Sequence, residues 1–329
     1  SIGSGLAIVV NANAKRGGRR VAVQLGRALP GARVRLTRTM EELVGWLRTL
    51  DSPRCVLSAG GDGSAVALVN ALHQITPADV PLPLVGILPL GTGNAWAHSV
   101  GARKLDACVH ALQRVEGPLP GRRFGLFEIE GRLTFLAGCG WDAQILNDYR
   151  AQVESSPSKT ISKSVWGYLS AMLFRTVPKQ LMHGRPHVIV ENLADEVLTM
   201  TPEHHVAHVE GVGRGAVLYE GMASVASAAT APEYGYGFRA FPFAERMLGY
   251  MNVRVYDEKP LRAVTAIPAL WRGRFPLHGV HDWFTRHVRM TFSRPMPLQI
   301  AGDAVGIRQS IEMKSSDRFV HILEWRRCF

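Results

Sequence analysis

Cysteine is scarce in this sequence. Cys55, Cys108, Cys139 and Cys328 are scattered and form no CxxC pair, which argues against a disulfide framework and a thiolate zinc site. Long apolar runs are also missing: none approaches the roughly 20 residues that a membrane-spanning helix needs. The N-terminus shows no charged region followed by a long apolar segment, so no signal peptide is expected. Internal repeats and low-complexity segments are absent. A reducing cytosol fits these absences. Lysine is rare too, at seven of the 38 basic residues, so the positive charge rests on arginine.

What is present points to a globular protein of two domains. The chain's 329 residues are comfortable for two cores. With 47% hydrophobic and 20% charged residues, it does not read as disordered. The net charge of +11 makes a polyanion an expected partner. Nucleic acid, nucleotide phosphate and an anionic membrane surface all qualify. Arginine suits bidentate phosphate binding, although an arginine-rich proteome accounts for the same excess. No nucleic-acid recognition motif accompanies the charge, so no nucleic-acid partner is expected.

LAIVVNA, from Leu6 to Ala12, is a short β-branched run that reads as a buried parallel strand. RRVAVQLGRAL follows with helical spacing and stops at Pro30-Gly31. ARVRLT, RCVLSA and LPLVGILPL read as three further strands. TMEELVGWLRTL and SAVALVNALHQ read as the helices between them, the first capped by Thr39 with Glu42 at the capping-box position. Strand and helix alternating in this order predict a parallel α/β sheet. The pattern changes after about residue 122. RRFGLFEIEGRLTFLAGCG alternates around Gly131 and reads as a hairpin. Residues 186–300 hold short alternating runs split by glycine and proline, which read as a mostly β domain. One helix is expected to interrupt it, from Ser162 to Val177.

Two glycine-rich loops follow the third and fourth strands: Gly60-Gly61-Asp62-Gly63-Ser64 and Gly91-Thr92-Gly93-Asn94. In open α/β sheets ligands bind beyond the carboxyl ends of the strands. Glycines leave backbone N–H groups unshielded, and a helix N-terminus favours anions. Ser64 and Thr92 add hydroxyl groups. The pair reads as a phosphate cradle, and tight strand-to-helix turns are the plainer alternative. Asp62 is the odd residue, because a carboxylate repels phosphate unless it holds Mg2+ or takes a proton from an attacking hydroxyl. Phosphoryl transfer needs both, whereas a helix cap needs neither. No GKS or GKT follows the glycines, and the loop after the first strand lacks GxGxxG. A Walker A loop and a dinucleotide fingerprint are therefore excluded.

GGDGS followed by ILPLGTGNAWA resembles the superfamily of diacylglycerol kinases, sphingosine and ceramide kinases and their bacterial relatives. VVNANAKRGG resembles its opening strand and loop, with Ala12 where proline is usual. GCGWDAQI, LYEGMASVASAATAPEYGYGFRAFPFA and PLQIAGDAVG resemble its later segments, so the likeness covers nearly the whole chain. It implies an α/β N-terminal three-layer parallel-sheet nucleotide-binding domain of the NAD kinase and diacylglycerol kinase type, residues 1–124 completed by 309–329. It also implies a second, β-sandwich domain for the lipid substrate, residues 125–308. The implied cofactors are ATP and Mg2+. Asn11, Thr37, Gly60, Gly61, Asp62, Gly63, Ser64, Gly91, Thr92, Gly93 and Asn94 would line the nucleotide site. Asp62 would organise Mg2+, directly or through water, or act as base, with Asp303 as the next candidate base. Asp142 would meet the acceptor head group.

The chain departs from the family pattern at Ser64, where threonine is usual, and at Val66-Ala67, where Asn-Glu is usual. Ala95 replaces an acidic residue, and Ala301-Gly302-Asp303 replaces Asp-Gly-Glu. ERMLG stands where many bacterial members carry the Asp-Asp-Gly of a structural metal site. The expected function is an ATP- and Mg-dependent lipid kinase acting on a diacylglycerol, ceramide or sphingoid-type acceptor. The alternatives are a nucleotide- or lipid-binding member that has lost catalysis and a soluble enzyme of the NAD kinase type. The expected setting is the cytoplasmic face of an anionic membrane, with no stable protein partner. The helix at 162–177, flanked by Lys159, Lys163, Arg175 and Lys179, reads either as interfacial or as packed on the β domain. His204 and His208 fall on one face of a strand, without a carboxylate to complete a metal site. His278, His281 and His287 read as loop or surface residues.

Overall fold

The computed structural model describes residues 5–12, 18–91, 93–140, 184–235 and 237–329. Thr92, Asp142 and the helix expected at 162–177 lie outside the described residues. The chain divides into two units. The first joins Ser1–Gly125 to Asp317–Phe329, and the second is Leu126–Ser316.

The first unit is built on β1 (Leu6–Asn11), β2 (Arg33–Thr37), β3 (Cys55–Gly60), β4 (Leu84–Pro89), β5 (Gly121–Phe124) and the late strand β18 (Val320–Leu323). They form one sheet in the order β2-β1-β3-β4-β18-β5, parallel except for β5. Ile8, Val10, Val56, Leu57 and Val85 are wholly buried. Such continuous apolar strands are what a sheet covered on both faces requires. Helices α1 (Gly18–Ala28), α2 (Met40–Leu47), α3 (Asp62–Ile75), α4 (Ala95–Ser99) and α5 (Leu105–Arg114) connect the strands. Helix α2 starts as its sequence dictates: Glu42 N–H donates to Thr39 Oγ1 at 3.2 Å, and the Glu42 carboxylate accepts from Arg38 N at 2.8 Å. From β1 the chain steps outward to β2, then back past β1 to β3. Strand order therefore reverses between β1 and β3, the kind of position at whose carboxyl ends open α/β sheets bind ligands. The closing segment seals the sheet, with buried Trp325 donating its Nε1–H to Ile87 O at 3.0 Å.

The second unit holds β6 (Phe127–Ile129), β7 (Arg132–Thr134), β8 (Leu136–Gly140), β9 (His187–Asn192), β10 (Leu198–Met200), β11 (Val206–His208) and β12 (Val217–Met222). It continues with β13 (Val225–Ala229), β14 (Met251–Tyr256), β15 (Val280–Thr285), β16 (His287–Ile300) and β17 (Asp303–Ser315). All are antiparallel. The two layers expected of a sandwich are joined into one hydrogen-bonded sheet, because β16 is long enough to pair β9 through Val288–Phe292 and β8 through Leu298–Ile300. One face of β8, β13, β14 and β16 buries Cys139, Ala226, Ala228, Val253, Val255, Leu298 and Ile300. On the other face Arg254 Nε and Nη2 donate to the Asp282 carboxylate at 2.8 and 2.6 Å, and Asn252 Nδ2 adds a third bond at 3.0 Å. A buried pair satisfied in this way is costly to break.

Four sequence expectations need correction. Residues 309–315 stay in the second unit, because β17 keeps register with β16 as far as His287↔Lys314. Arg122–Phe124 is not part of a hairpin: β5 pairs β18, and the hairpin is β6–β7 alone, turning at Glu130-Gly131. A helix not expected from the sequence, α6 (Pro260–Trp271), follows β14. His204 and His208 do not share a strand, since His204 sits in a turn at φ 65° between β10 and β11.

Candidate active site

Strands β1, β3 and β4 end side by side at Asn11, Gly60 and Pro89. Leu90 N and Gly91 N both donate to Gly60 O, at 2.9 and 3.2 Å, so the two glycine loops leave the sheet already joined. A Cβ on Gly91 would lie 2.6 Å from Gly61 Cα, and one on Gly61 would lie 3.3 Å from Gly91 Cα. A Cβ on Gly60 would lie 2.4 Å from Ser64 Oγ. Gly61 and Gly91 are therefore fixed by close packing of one loop against the other, which tight turns alone would not require, and Gly60 is fixed by Ser64 of its own loop. Across the strand-order reversal, Asn11 Nδ2 donates to Ser64 Oγ at 2.8 Å. The second loop closes on itself through Asn94, whose Oδ1 accepts from Gly91 N at 2.9 Å and whose Nδ2 donates to Gly91 O at 2.8 Å. Asn94 holds a left-handed conformation, φ 50° and ψ 39°, that asparagine tolerates better than most residues.

Asp62 ties the loops together. Its Oδ2 accepts from Ala95 N at 2.8 Å and its Oδ1 from Trp96 N at 2.9 Å. Asn94 makes no side-chain cap for α4, so a carboxylate from the neighbouring loop caps that helix in its place. Bonds from N–H to an ionised carboxylate are among the strong ones. The cap is anchored by Trp96, fully buried with its ring 5.4 Å from Phe124.

Gly63 lies in the first turn of α3, and Gly93 is half-buried beside Asn94. Thr37 pairs with Asn11 in register; it is buried, and its carbonyl accepts from Ala12 N at 2.9 Å. Asp303 belongs to the second unit, exposed at the start of β17 and paired with Ile300 across the turn Ala301-Gly302. Those two turn residues have φ 49° and 79°. Gln299 Oε1 accepts from Gly302 N at 3.0 Å and steadies the turn. Among the described residues no three His, Cys, Asp or Glu side chains converge on a metal position. Mg2+ commonly keeps several waters and is held by one or two carboxylates together with substrate phosphates. Asp62 beside the two glycine loops is compatible with that mode.

The backbone donors Ala95 and Trp96, which hold Asp62, are groups that sequence reading missed. Capping rules look to the residue just before a helix, here Asn94, and not to one in a different loop far back along the chain. The only sequence signal was an aspartate in a loop where a carboxylate looked out of place.

A family model described as the diacylglycerol kinase catalytic domain matches residues 6–118. Within a 46-residue stretch, 14% of this chain, the sequence is 50% identical to the eye-specific diacylglycerol kinase of Drosophila melanogaster. That stretch spans 3% of the Drosophila protein's length. A crystal structure of a diacylglycerol kinase from Bacillus anthracis str. Sterne is similar over 97% of this chain and 96% of its own, at 13% identity and a TM-score of 0.60. A second structure from the same organism aligns over 99% of both chains, at 13% identity and a TM-score of 0.63. The glycine loops, Asn11 and Asp62 all fall inside residues 6–118, the segment that matches the model of the diacylglycerol kinase catalytic domain, a kinase-family domain.

Proposed function

We propose that this protein is an ATP- and Mg2+-dependent kinase that transfers the γ-phosphoryl group to a hydroxyl of a membrane lipid, of the diacylglycerol, ceramide or sphingoid type. The observation that carries the reading is the pair of glycine loops at the strand-order reversal, locked together by Asp62. The amides of Gly61, Gly63 and Gly93, with the N-terminus of α3, would offer donors and a favourable dipole to the nucleotide phosphates. Asn11 Nδ2 donates to Ser64 Oγ and so ties that hydroxyl to the end of β1. Mg2+, when bound, would neutralise phosphate charge, held by the phosphates and by Asp62 through water. Asp62 is the first candidate to receive the acceptor's proton and Asp303 the second, with Asp142 proposed to meet the acceptor head group. The protein would work at the cytoplasmic face of an anionic membrane. No described helix is long and apolar enough to cross one.

One specific observation favours a second reading, a member that binds nucleotide or lipid without turnover. Ala95 stands where the family pattern has an acidic side chain, and its N–H engages the Asp62 carboxylate. The test is transfer from labelled ATP, with Mg2+, into a panel of lipids in mixed micelles and into NAD. Asp62→Asn runs beside the wild type. Transfer to a lipid, lost in Asp62→Asn, is expected. ATP binding without transfer would select the second reading, and transfer to NAD without micelles would select an NAD kinase-type enzyme. Equal transfer by both proteins would make Asp62 purely structural.

A further inference from the structure

Charge is divided unequally between the two units. The first carries 18 basic and nine acidic residues, the second 20 and 18. Several arginines of the second unit are matched with acids: Arg214 with Asp195, Arg254 with Asp282, Arg289 with Glu312 and Arg308 with Glu130. Helix α1 of the first unit is different. It has no acidic residue, and Arg19, Arg20, Val23, Gln24 and Arg27 are exposed, while Val21 and Leu25 are buried beneath them. Positions i, i+1, i+4, i+5 and i+8 make one stripe of a helix, about 12 Å long at 1.5 Å per residue. None of the three arginines makes an ion pair among the described residues. Beside α1 lies α5, joined to it by Gln113 Nε2 donating to Ala28 O at 2.7 Å and Gln24 Nε2 donating to Asp106 Oδ1 at 3.2 Å. Helix α5 and its flank add exposed Lys104 and Arg114.

We propose that this face of α1 docks the protein on an anionic lipid bilayer. Guanidinium groups left without acids are complementary to anionic headgroups, and their apolar stems suit the headgroup layer. Val23, 51% exposed amid the arginines, favours a lipid surface over nucleic acid: a headgroup layer takes up an apolar side chain, and a phosphate backbone does not reward it. Each basic residue near such a surface contributes about fivefold in affinity, so three together are worth on the order of a hundredfold, screened by salt. The purpose of this docking rests on the lipid-kinase reading, but the docking is measured without turnover.

The experiment is co-sedimentation of the full chain with phosphatidylcholine vesicles prepared with and without phosphatidylglycerol. The wild type is compared with R19Q/R20Q/R27Q and with R33Q/R35Q/R48Q, which removes the same charge elsewhere in the first unit. The wild type should bind only the anionic vesicles. The α1 variant should lose about a hundredfold in affinity, and the control variant should stay near the wild type. Equal loss in both variants would reduce the effect to net charge and overturn the proposal. So would undiminished binding by the α1 variant, or binding of the wild type to duplex RNA in place of vesicles. Turnover in neutral micelles is read separately. An α1 variant that is active there but unbound to vesicles supports the docking face. Vesicle binding with no lipid turned over would leave docking standing and sink the lipid-kinase reading.

Discussion

Glycines do different work in the two units. In the first, Gly60, Gly61 and Gly91 are fixed by what lies against them: a side chain at Gly61 or Gly91 would run into the neighbouring loop, and one at Gly60 into Ser64. In the second, Gly131 and Gly302 would place a methyl group in open space, with nothing within 4 Å, and are fixed by φ of 72° and 79°. The first kind brings the ends of two strands into contact. The second kind only reverses a chain. Charge adds a contrast: Arg254 and Arg289 meet acids across strands in the second unit, while Arg19, Arg20 and Arg27 on α1 meet none among the described residues.

The largest effect should come from Gly91→Ala. Its methyl would meet Gly61 backbone, which cannot swing aside as a flexible side chain can. The cost is expected at about 1–3 kcal/mol, with phosphoryl transfer lost as the loops part. Gly26→Ala in α1 meets nothing within 4 Å and should stabilise by about 0.5–1 kcal/mol. Urea unfolding of both variants, with turnover, reads the comparison. A Gly91→Ala protein as stable as the wild type would mean that the loops do not touch.

Acid should act mainly on the second unit. Hydrogen bonds from His287 and Arg289 hold the Glu312 carboxyl below its ordinary value of 4.5. A hydrogen bond from Arg308 does the same for Glu130. At Glu258 burial pushes upward, but the Lys259 N–H and His278 outweigh it and the net direction is down. A carboxyl lowered in the folded state contributes stability that is fully present above its unfolded value, 4.5 for these glutamates, and is lost as pH falls through the lowered value. Unfolding midpoints should therefore drop below pH 4.5, and Glu312→Gln should flatten that drop. An unchanged slope in the variant would remove Glu312 from the account.

The first unit was legible because each of its elements is local. LAIVVN, RCVLSA and LPLVGILPL are unbroken apolar runs, and Thr39 with Glu42 marks a helix start within one turn. The second unit hid its longest strands. Pro295 and Pro297 read as breaks, yet β16 passes through both, because register shifts between Thr291 and Met296 and between Pro297 and Gln299 relieve the missing donors. Helix α6 was missed because Pro268 stands inside it. At the site, residue types and loop positions were readable from GGDGS and GTGN. The tie from Asp62 to Ala95 and Trp96 was not, since nothing local connects them.

The smallest effect tests the turn-making kind of position directly. Ala301 and Gly302 form a two-residue hairpin turn with both φ positive, a type I′ geometry that favours Asn, Asp or Gly at its first place. Alanine there, at φ 49°, carries left-handed strain that glycine lacks. Ala301→Gly should therefore raise stability by a few tenths to about 1 kcal/mol, net of the entropy that glycine adds to the unfolded chain. Ala228→Gly, in the middle of buried β13, should lower it by about 0.5–1 kcal/mol. The opposite signs of one chemical change are the test, read by paired urea titrations. Asp303 follows the turn at once, so turnover of Ala301→Gly adds a second reading. Stability gained with activity unchanged would make the strain incidental. Stability gained with activity lost would mean that the strained turn holds Asp303 where the reaction needs it.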